Sequence, residues 1–176
     1  MNAEQMARAL DELAQTVAES RLGDPAGSRL ALIGIRNRGV PLAARLADRL
    51  RDRFSLQPQV GAIDITLYRD DLSQIARTPV LRGTDVSFAV DGKELILVDD
   101  VLFTGRTVRA AMDVLCDLGR PAAIRLAVLV DRGHRELPIQ ADYCGLRVTT
   151  ERNERIDVLL VETDSVDEVR KEMLNG

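Results

Sequence analysis

The sequence predicts an α/β fold with a mostly parallel central sheet flanked by helices. Short apolar runs alternate along the chain with segments of helical spacing, and alternation of this kind builds parallel sheets covered on both faces. The second half sets a strand, a helix and a strand within about 37 residues, enough for a βαβ unit. The 176 residues suit one domain at roughly 100–200 residues per domain, so 1–176 is read as a single domain.

In chain order, Met6, Leu10, Leu13 and Val17 mark one apolar stripe of a helix over 2–20, with Gly23-Asp24-Pro25 to end it. Arg29–Ile35 is too short for a buried helix and reads as a strand buried on both faces. Pro41–Arg53 returns to helical spacing through Leu42, Leu46 and Leu50, and Val60–Leu67 is a strand rich in β-branched residues. The polar stretch Tyr68–Ala89 is long for a connection in a compact domain, so it reads as a functional loop or as holding a short hairpin. Glu94–Val98 is a strand, Thr107–Leu118 a helix closed by Gly119 and Pro121, and Ala123–Val130 a strand. Tyr143–Thr149 and Ile156–Glu162 read as further strands. Ser165–Leu174 reads as a terminal helix with Ser165 as N-cap and Glu168 completing a capping box.

Composition narrows the function. Hydrophobic residues make up 45% and charged residues 30%, the balance of a globular domain rather than a disordered chain. With aromatics at 3% and no Trp, a stacking platform for single-stranded bases, which needs several exposed rings, is not expected. The net charge of -4 is uneven: the first 24 residues sum to -3, residues 25–150 to +3 and the last 26 to -4, which places anion binding in the middle. Cys116, Cys144 and the lone His134 cannot assemble a zinc cluster or a disulfide framework. The start carries no basic and apolar leader and no stretch is long and apolar enough to span a bilayer, so a cytoplasmic protein without membrane attachment is expected.

Ligands of open parallel sheets bind beyond the carboxyl ends of the strands, here the loops after Ile35, Val98 and Val130. The second is the most informative. Asp99 and Asp100 leave an apolar strand, Val101, Leu102 and Phe103 follow, and Thr104-Gly105-Arg106-Thr107 opens a helix. A helix N-terminus offers free N–H groups and the positive end of its dipole, Gly lets backbone approach a ligand, and the threonines add hydroxyls: a phosphate cup. Carboxylates accept from sugar hydroxyls but repel phosphate, so a ribose 5-phosphate lying across the loop fits both ends. The competing reading has Thr104 as a simple N-cap and the acids as solvated strand ends. A Walker-type cradle and a dinucleotide fingerprint are both missing.

The string VDDVLFTGRTV resembles the ribose-phosphate signature of the type I phosphoribosyltransferases. Three further strings, GIRNRG, IDITLYRDDL and LAVLVDRGHRELPI, narrow the resemblance to the pyrimidine operon regulators within that family, bifunctional RNA-binding attenuators and uracil phosphoribosyltransferases. It runs from about Leu10 to Glu162 and implies a type I phosphoribosyltransferase-like sheet with a small hood over the active site. The implied reaction joins uracil to 5-phosphoribosyl diphosphate, giving UMP and diphosphate, with Mg²⁺ carried on the co-substrate.

The resemblance assigns roles. Asp99, Asp100 and Arg38 are catalytic, the two acids also meeting the metal directly or through water. Val101, Leu102, Phe103, Thr104, Gly105, Arg106 and Thr107 bind ribose 5-phosphate. Arg36, Asn37 and Gly39, with Arg38, form the diphosphate loop, where the family often places a cis peptide. Arg69, Asp70 and Asp71 stand at the base of a mobile lid over about 69–89, which closes to exclude water. Val130, Asp131 and Arg132 belong to the base-binding region. Purine-using members carry an acid before Thr-Gly that serves N7; Phe103 stands there, which favours a pyrimidine or is mere packing. The diphosphate loop could equally be an arginine-rich surface turn, since all but two of the 24 basic residues are Arg.

His134, Arg135 and Arg147 are the residues expected to face RNA. The basic patch is thin: the first helix sets Asp11, Glu12 and Glu19 against Arg8, and Gln140 and Leu146 stand where bases are expected in RNA-binding relatives. The expected partners are uracil, 5-phosphoribosyl diphosphate, UMP or UTP, the leader mRNA of a pyrimidine operon, and further copies of the chain in a homodimer or higher homo-oligomer. Three functions compete: an enzyme, an attenuator whose nucleotide site is a sensor, and an idle scaffold, the last weakened because no motif residue is missing.

Overall fold

The computed structural model describes residues 1–20, 29–66 and 83–174. Helix α1 (Ala3–Glu19) starts at a capping box: Asn2 Oδ1 accepts from the Gln5 N–H and Gln5 Oε1 from the Asn2 N–H, both at 2.9 Å. Its stripe Met6, Leu10, Leu13 and Val17 is buried, as the spacing predicts; the expected stop at Gly23-Asp24-Pro25 lies outside the described residues.

Strands β1 (Leu30–Ile35), β2 (Gln59–Ile63), β3 (Glu94–Leu102), β4 (Ala123–Asp131) and β5 (Tyr143–Arg147) form one sheet in the order β2-β1-β3-β4-β5, every pairing parallel. Its alternating side chains face two cores. Leu30, Leu32, Ile96 and Val98 pack against α1 and α2 (Gly39–Phe54); Ala31, Ile33, Leu95 and Leu97 share the other face with Val108, Ala111, Val114 and Leu115 of α3 (Arg106–Leu118). Burial on both faces is why the strands read as unbroken apolar runs. Strands are added outward from β1 on one side and from β3 on the other, so the strand order switches between these two parallel neighbours, and there the site lies.

Four expectations need correction. The strand predicted over Val60–Leu67 ends at Ile63, because Asp64 Oδ1 accepts from the Thr66 N–H and hydroxyl and turns the chain. The strand predicted over Glu94–Val98 continues to Leu102, so Asp99 and Asp100 lie within β3 rather than beyond it. Glu162 belongs not to a strand but to a single helical turn, α4 (Val161–Asp164), after β6 (Glu154–Leu159). The predicted terminal helix is strand β7 (Glu168–Met173), antiparallel to β6 with Val169 opposite Val158.

Val166, Val169 and Met173 mimic helical spacing, but only Val169 is buried. Ser165 has φ 61° rather than the extended backbone of an N-cap, and Glu168 pairs with Arg170 at 2.7 Å instead of closing a capping box. The β6–α4–β7 hairpin docks on α1 through reciprocal bonds between Met1 and Val169 and stands beside the start of α2 as the expected hood. Of the expected lid, residues 83–89 are described. Asp85 makes two backbone bonds to Ala62 on the outer edge of β2, and Val86 and Phe88 pack on the core. Arg69, Asp70 and Asp71 lie outside the described residues.

Candidate active site

The ends of β1 and β3 open into a polar cavity of about 330 Å³ lined by Arg36, Asn37, Arg38, Asp99, Asp100 and Thr107, among others. Backbone contact sets its width. A Cβ on Gly39 would run into the Val98 carbonyl oxygen, so only glycine lets the turn after β1 lie against β3. The Arg36–Asn37 peptide is cis. Arg36 Nε donates to the Gly83 carbonyl at 2.7 Å and Arg38 pairs with Asp164 at 3.0 Å, so both arginines rest on neighbouring segments.

Asp99 is buried, and its Oδ1 accepts from the Asp100 N–H at 3.0 Å, while Asp100 Oδ1 accepts from the Val101 N–H at 2.8 Å. Burial, and then the neighbouring Asp100 charge, pushes the Asp99 carboxyl well above the usual carboxylate range. Burial raises Asp100 as well, against the opposing pull of backbone N–H groups and Arg38. Two hard-oxygen groups side by side fit Mg²⁺, which is commonly held by one or two carboxylates and otherwise by substrate phosphates and water. Among the described residues no set of three or more metal-ligating side chains gathers, so the ion's other ligands would come from those sources.

No side chain caps α3. Gly105 is its N-cap at φ 92°, and the Arg106 N–H lies a long 3.4 Å from Thr104 Oγ1. The simple N-cap reading of Thr104 is thereby weakened, since the cap residue is Gly105, and a helix start of this kind is a place where an anion can be received. The third loop buttresses this cup: the Thr104 carbonyl accepts from the Glu136 and Leu137 N–H groups at 2.9 and 3.2 Å, and Arg106 pairs with Glu136 at 2.8 Å.

In that loop the Arg132 guanidinium lies over the Phe103 ring, while its nitrogens donate to Thr150 Oγ1 and the Glu151 carbonyl. Burial pushes the Asp131 carboxyl up, but Arg135 and the Gly133 N–H outweigh it and hold the group below its usual value. Val130 and Leu102 are buried in the sheet and Val101 lines the cavity, so the first two position backbone.

Two residues expected to face RNA are turned inward. His134 Nε2 is 2.6 Å from the Thr150 carbonyl oxygen. Arg135 donates to the carbonyls of Ile139, Phe103 and Gly133 and to Asp131, which commits all three nitrogens to the loop. Arg147 lines a separate cavity of about 520 Å³ with Gln140 and Asp131. Sequence reasoning missed Asp64 and Thr66, which line the site cavity; the D-x-T spacing after a β-branched strand was the available signal. It also missed Asp164, whose partner is 126 residues away.

The family model described as phosphoribosyl transferase domain matches residues 2–159, and fold and site together define a protein of the phosphoribosyltransferase class. The chain is 53% identical over 169 residues to the bifunctional protein PyrR of Deinococcus deserti, covering 96% of this chain and 91% of that one. Identity is 54% to its namesake in Pelotomaculum thermopropionicum, covering 92% and 88%, and 52% to that of Thermus aquaticus, covering 96% and 92%. It belongs to the bifunctional PyrR family. Among solved structures, the hypoxanthine phosphoribosyltransferase of Trypanosoma cruzi superposes with TM-score 0.68 at 22% identity, covering 84% of this chain and 79% of that one. A hypoxanthine-guanine phosphoribosyltransferase of Bacillus anthracis gives 0.65 at 21%, covering 84% and 80%; these two share the fold.

Proposed function

We propose that the protein is a uracil phosphoribosyltransferase, uracil and 5-phosphoribosyl diphosphate giving UMP and diphosphate, and that it also serves as a uridine-nucleotide-responsive regulator of pyrimidine operon attenuation. The observation that carries the first activity is the acidic pair on β3 in one continuous string with the glycine-capped start of α3. A ribose 5-phosphate spans the two, hydroxyls at Asp99 and Asp100 and phosphate on the N–H groups and hydroxyls of Thr104–Thr107. The diphosphate faces Arg36, Asn37 and Arg38, whose positive charge stabilises it as its bond to the ribose breaks.

Mg²⁺, when bound with the co-substrate, neutralises part of that leaving charge. Charge left on the ribose ring at that moment is oxocarbenium-like, and the buried carboxylates face it from the hydroxyl side. Phe103 closes the base end with an apolar ring and no carboxylate for a purine N7. The Asp131–Arg135 loop offers backbone groups to the uracil edge, and the side chains at the lid base, Arg69, Asp70 and Asp71, are proposed to shut out water. Incubation with labelled uracil, 5-phosphoribosyl diphosphate and Mg²⁺ tests the reading: UMP is expected, and product from a purine but none from uracil would overturn it.

The regulatory activity rests on membership of the PyrR family. The surface for it is sparse in positive charge, because His134 and Arg135 are engaged internally and α1 exposes Glu4, Glu12 and Glu19 beside an Arg8 that already pairs with Glu4. Leader RNA is therefore held weakly, with strong salt dependence, or only when its shape is adapted to this face.

A further inference from the structure

We infer that Asp164 is a positioning residue for phosphoribosyl transfer, holding Arg38 on the diphosphate side of the crevice and away from the acidic pair; the inference rests on the proposed reaction. Arg38 stands between two carboxylates. Its terminal nitrogen pairs with Asp164 Oδ1 at 3.0 Å, while Asp100 attracts it electrostatically from the cavity. Its Nε is buried and has no partner among the described residues.

Asp164 is itself held. Its Oδ2 accepts from the Leu160 N–H at 3.0 Å and from the Thr163 hydroxyl at 2.6 Å, which leaves Oδ1 aimed at Arg38. The hairpin that carries it does not depend on this pair for its place. Two turns along α2, Arg45 meets both carboxylate oxygens of Glu162 at 2.6–2.8 Å and both of Asp167 at 2.7–3.0 Å. Removing the Asp164 charge therefore leaves the hairpin docked but leaves Arg38 with one carboxylate attraction, toward Asp100. The guanidinium would then cross to the place of the ribose hydroxyls and be lost to the diphosphate.

Asp164→Asn keeps an oxygen for Leu160 and Thr163 and removes the charge. In the full-length protein it should raise KM for 5-phosphoribosyl diphosphate at least fivefold and lower kcat as well, since Arg38 also serves the departing diphosphate, and Asp164→Glu should restore both to within twofold. In an Arg38→Met background, Asp164→Asn should change KM by less than twofold, since nothing remains to position. Calorimetric Kd values for 5-phosphoribosyl diphosphate should follow the same pattern without uracil turnover, so a failure of the uracil assignment is distinguishable from a failure of this one. An unchanged KM and Kd in Asp164→Asn, or an equal effect with and without the Arg38 side chain, would overturn the inference.

Discussion

The guanidinium carbon of Arg132 lies 4.1 Å from the centroid of the Phe103 ring, while the His134 ring meets the same phenyl group edge-on at 5.9 Å. Loop and ring thus hold each other at the end of the crevice proposed for the base. Phe103→Leu keeps an apolar wall but removes the stack, whose worth at a half-buried position is about 1 kcal/mol. KM for uracil should rise about fivefold, with KM for 5-phosphoribosyl diphosphate little changed. Steady-state kinetics with each substrate varied in turn checks this.

Asp100→Asn keeps shape and loses charge facing the sugar. A fall in kcat/KM of at least about tenfold is expected, roughly 1.4 kcal/mol of transition-state stabilisation. Kinetics equal to wild type would remove this loop from the reaction.

Asp99 carries a cost to the empty protein. Its folded-state carboxyl lies above the unfolded value because burial and Asp100 oppose its charge, so this group's contribution to stability falls as pH rises from the ordinary carboxylate range through the raised value. Asp99→Asn removes the penalty. The ligand-free variant should melt higher than wild type at pH 7.5, and the gap should narrow as pH falls and close below about pH 3, where the wild-type group is protonated in both states. Thermal melts across that range decide it, and the same variant should be impaired in UMP synthesis.

Gly105 holds φ 92° at the N-cap of α3, where a β-branched residue costs about 1–2 kcal/mol. Gly105→Val should fold with a lower Tm and lose the thermal stabilisation that 5-phosphoribosyl diphosphate gives wild type. Retention of that stabilisation would place the phosphate elsewhere.

Leader RNA should bind with a shallow ceiling. Among the described residues α1 and the Asp131–Arg135 loop offer few uncommitted cations for phosphate neutralisation, so filter binding to the protein's own operon leader should be weak near physiological salt, strengthen sharply at low salt, and respond to UMP. Nanomolar affinity that survives near-physiological salt would contradict the reading of this face.

The parallel sheet and the β3–α3 corner were legible in the sequence because their signals are local: apolar runs for strands buried on both faces, and acids, Gly and Thr in one continuous string. What stayed hidden was settled at long range. The helical spacing of Val166, Val169 and Met173 loses to pairing with β6, and the role of Arg135 is fixed by carbonyls of Phe103 and Ile139 that the linear string does not bring together. Asp164 had no local mark, since its significance comes from Arg38 on the far side of the chain.

The two bonds from Glu136 and Leu137 to the Thr104 carbonyl make the loop proposed to hold the phosphate and the loop proposed to hold the base one piece of protein. Whatever ordering that piece undergoes occurs once, whichever end is filled first. A free base or a bare phosphate therefore bears the whole ordering cost on few contacts, while a nucleotide spreads it over both ends. On the proposed assignment, selectivity for the joined molecule over its parts would follow from a single carbonyl oxygen shared by two amides.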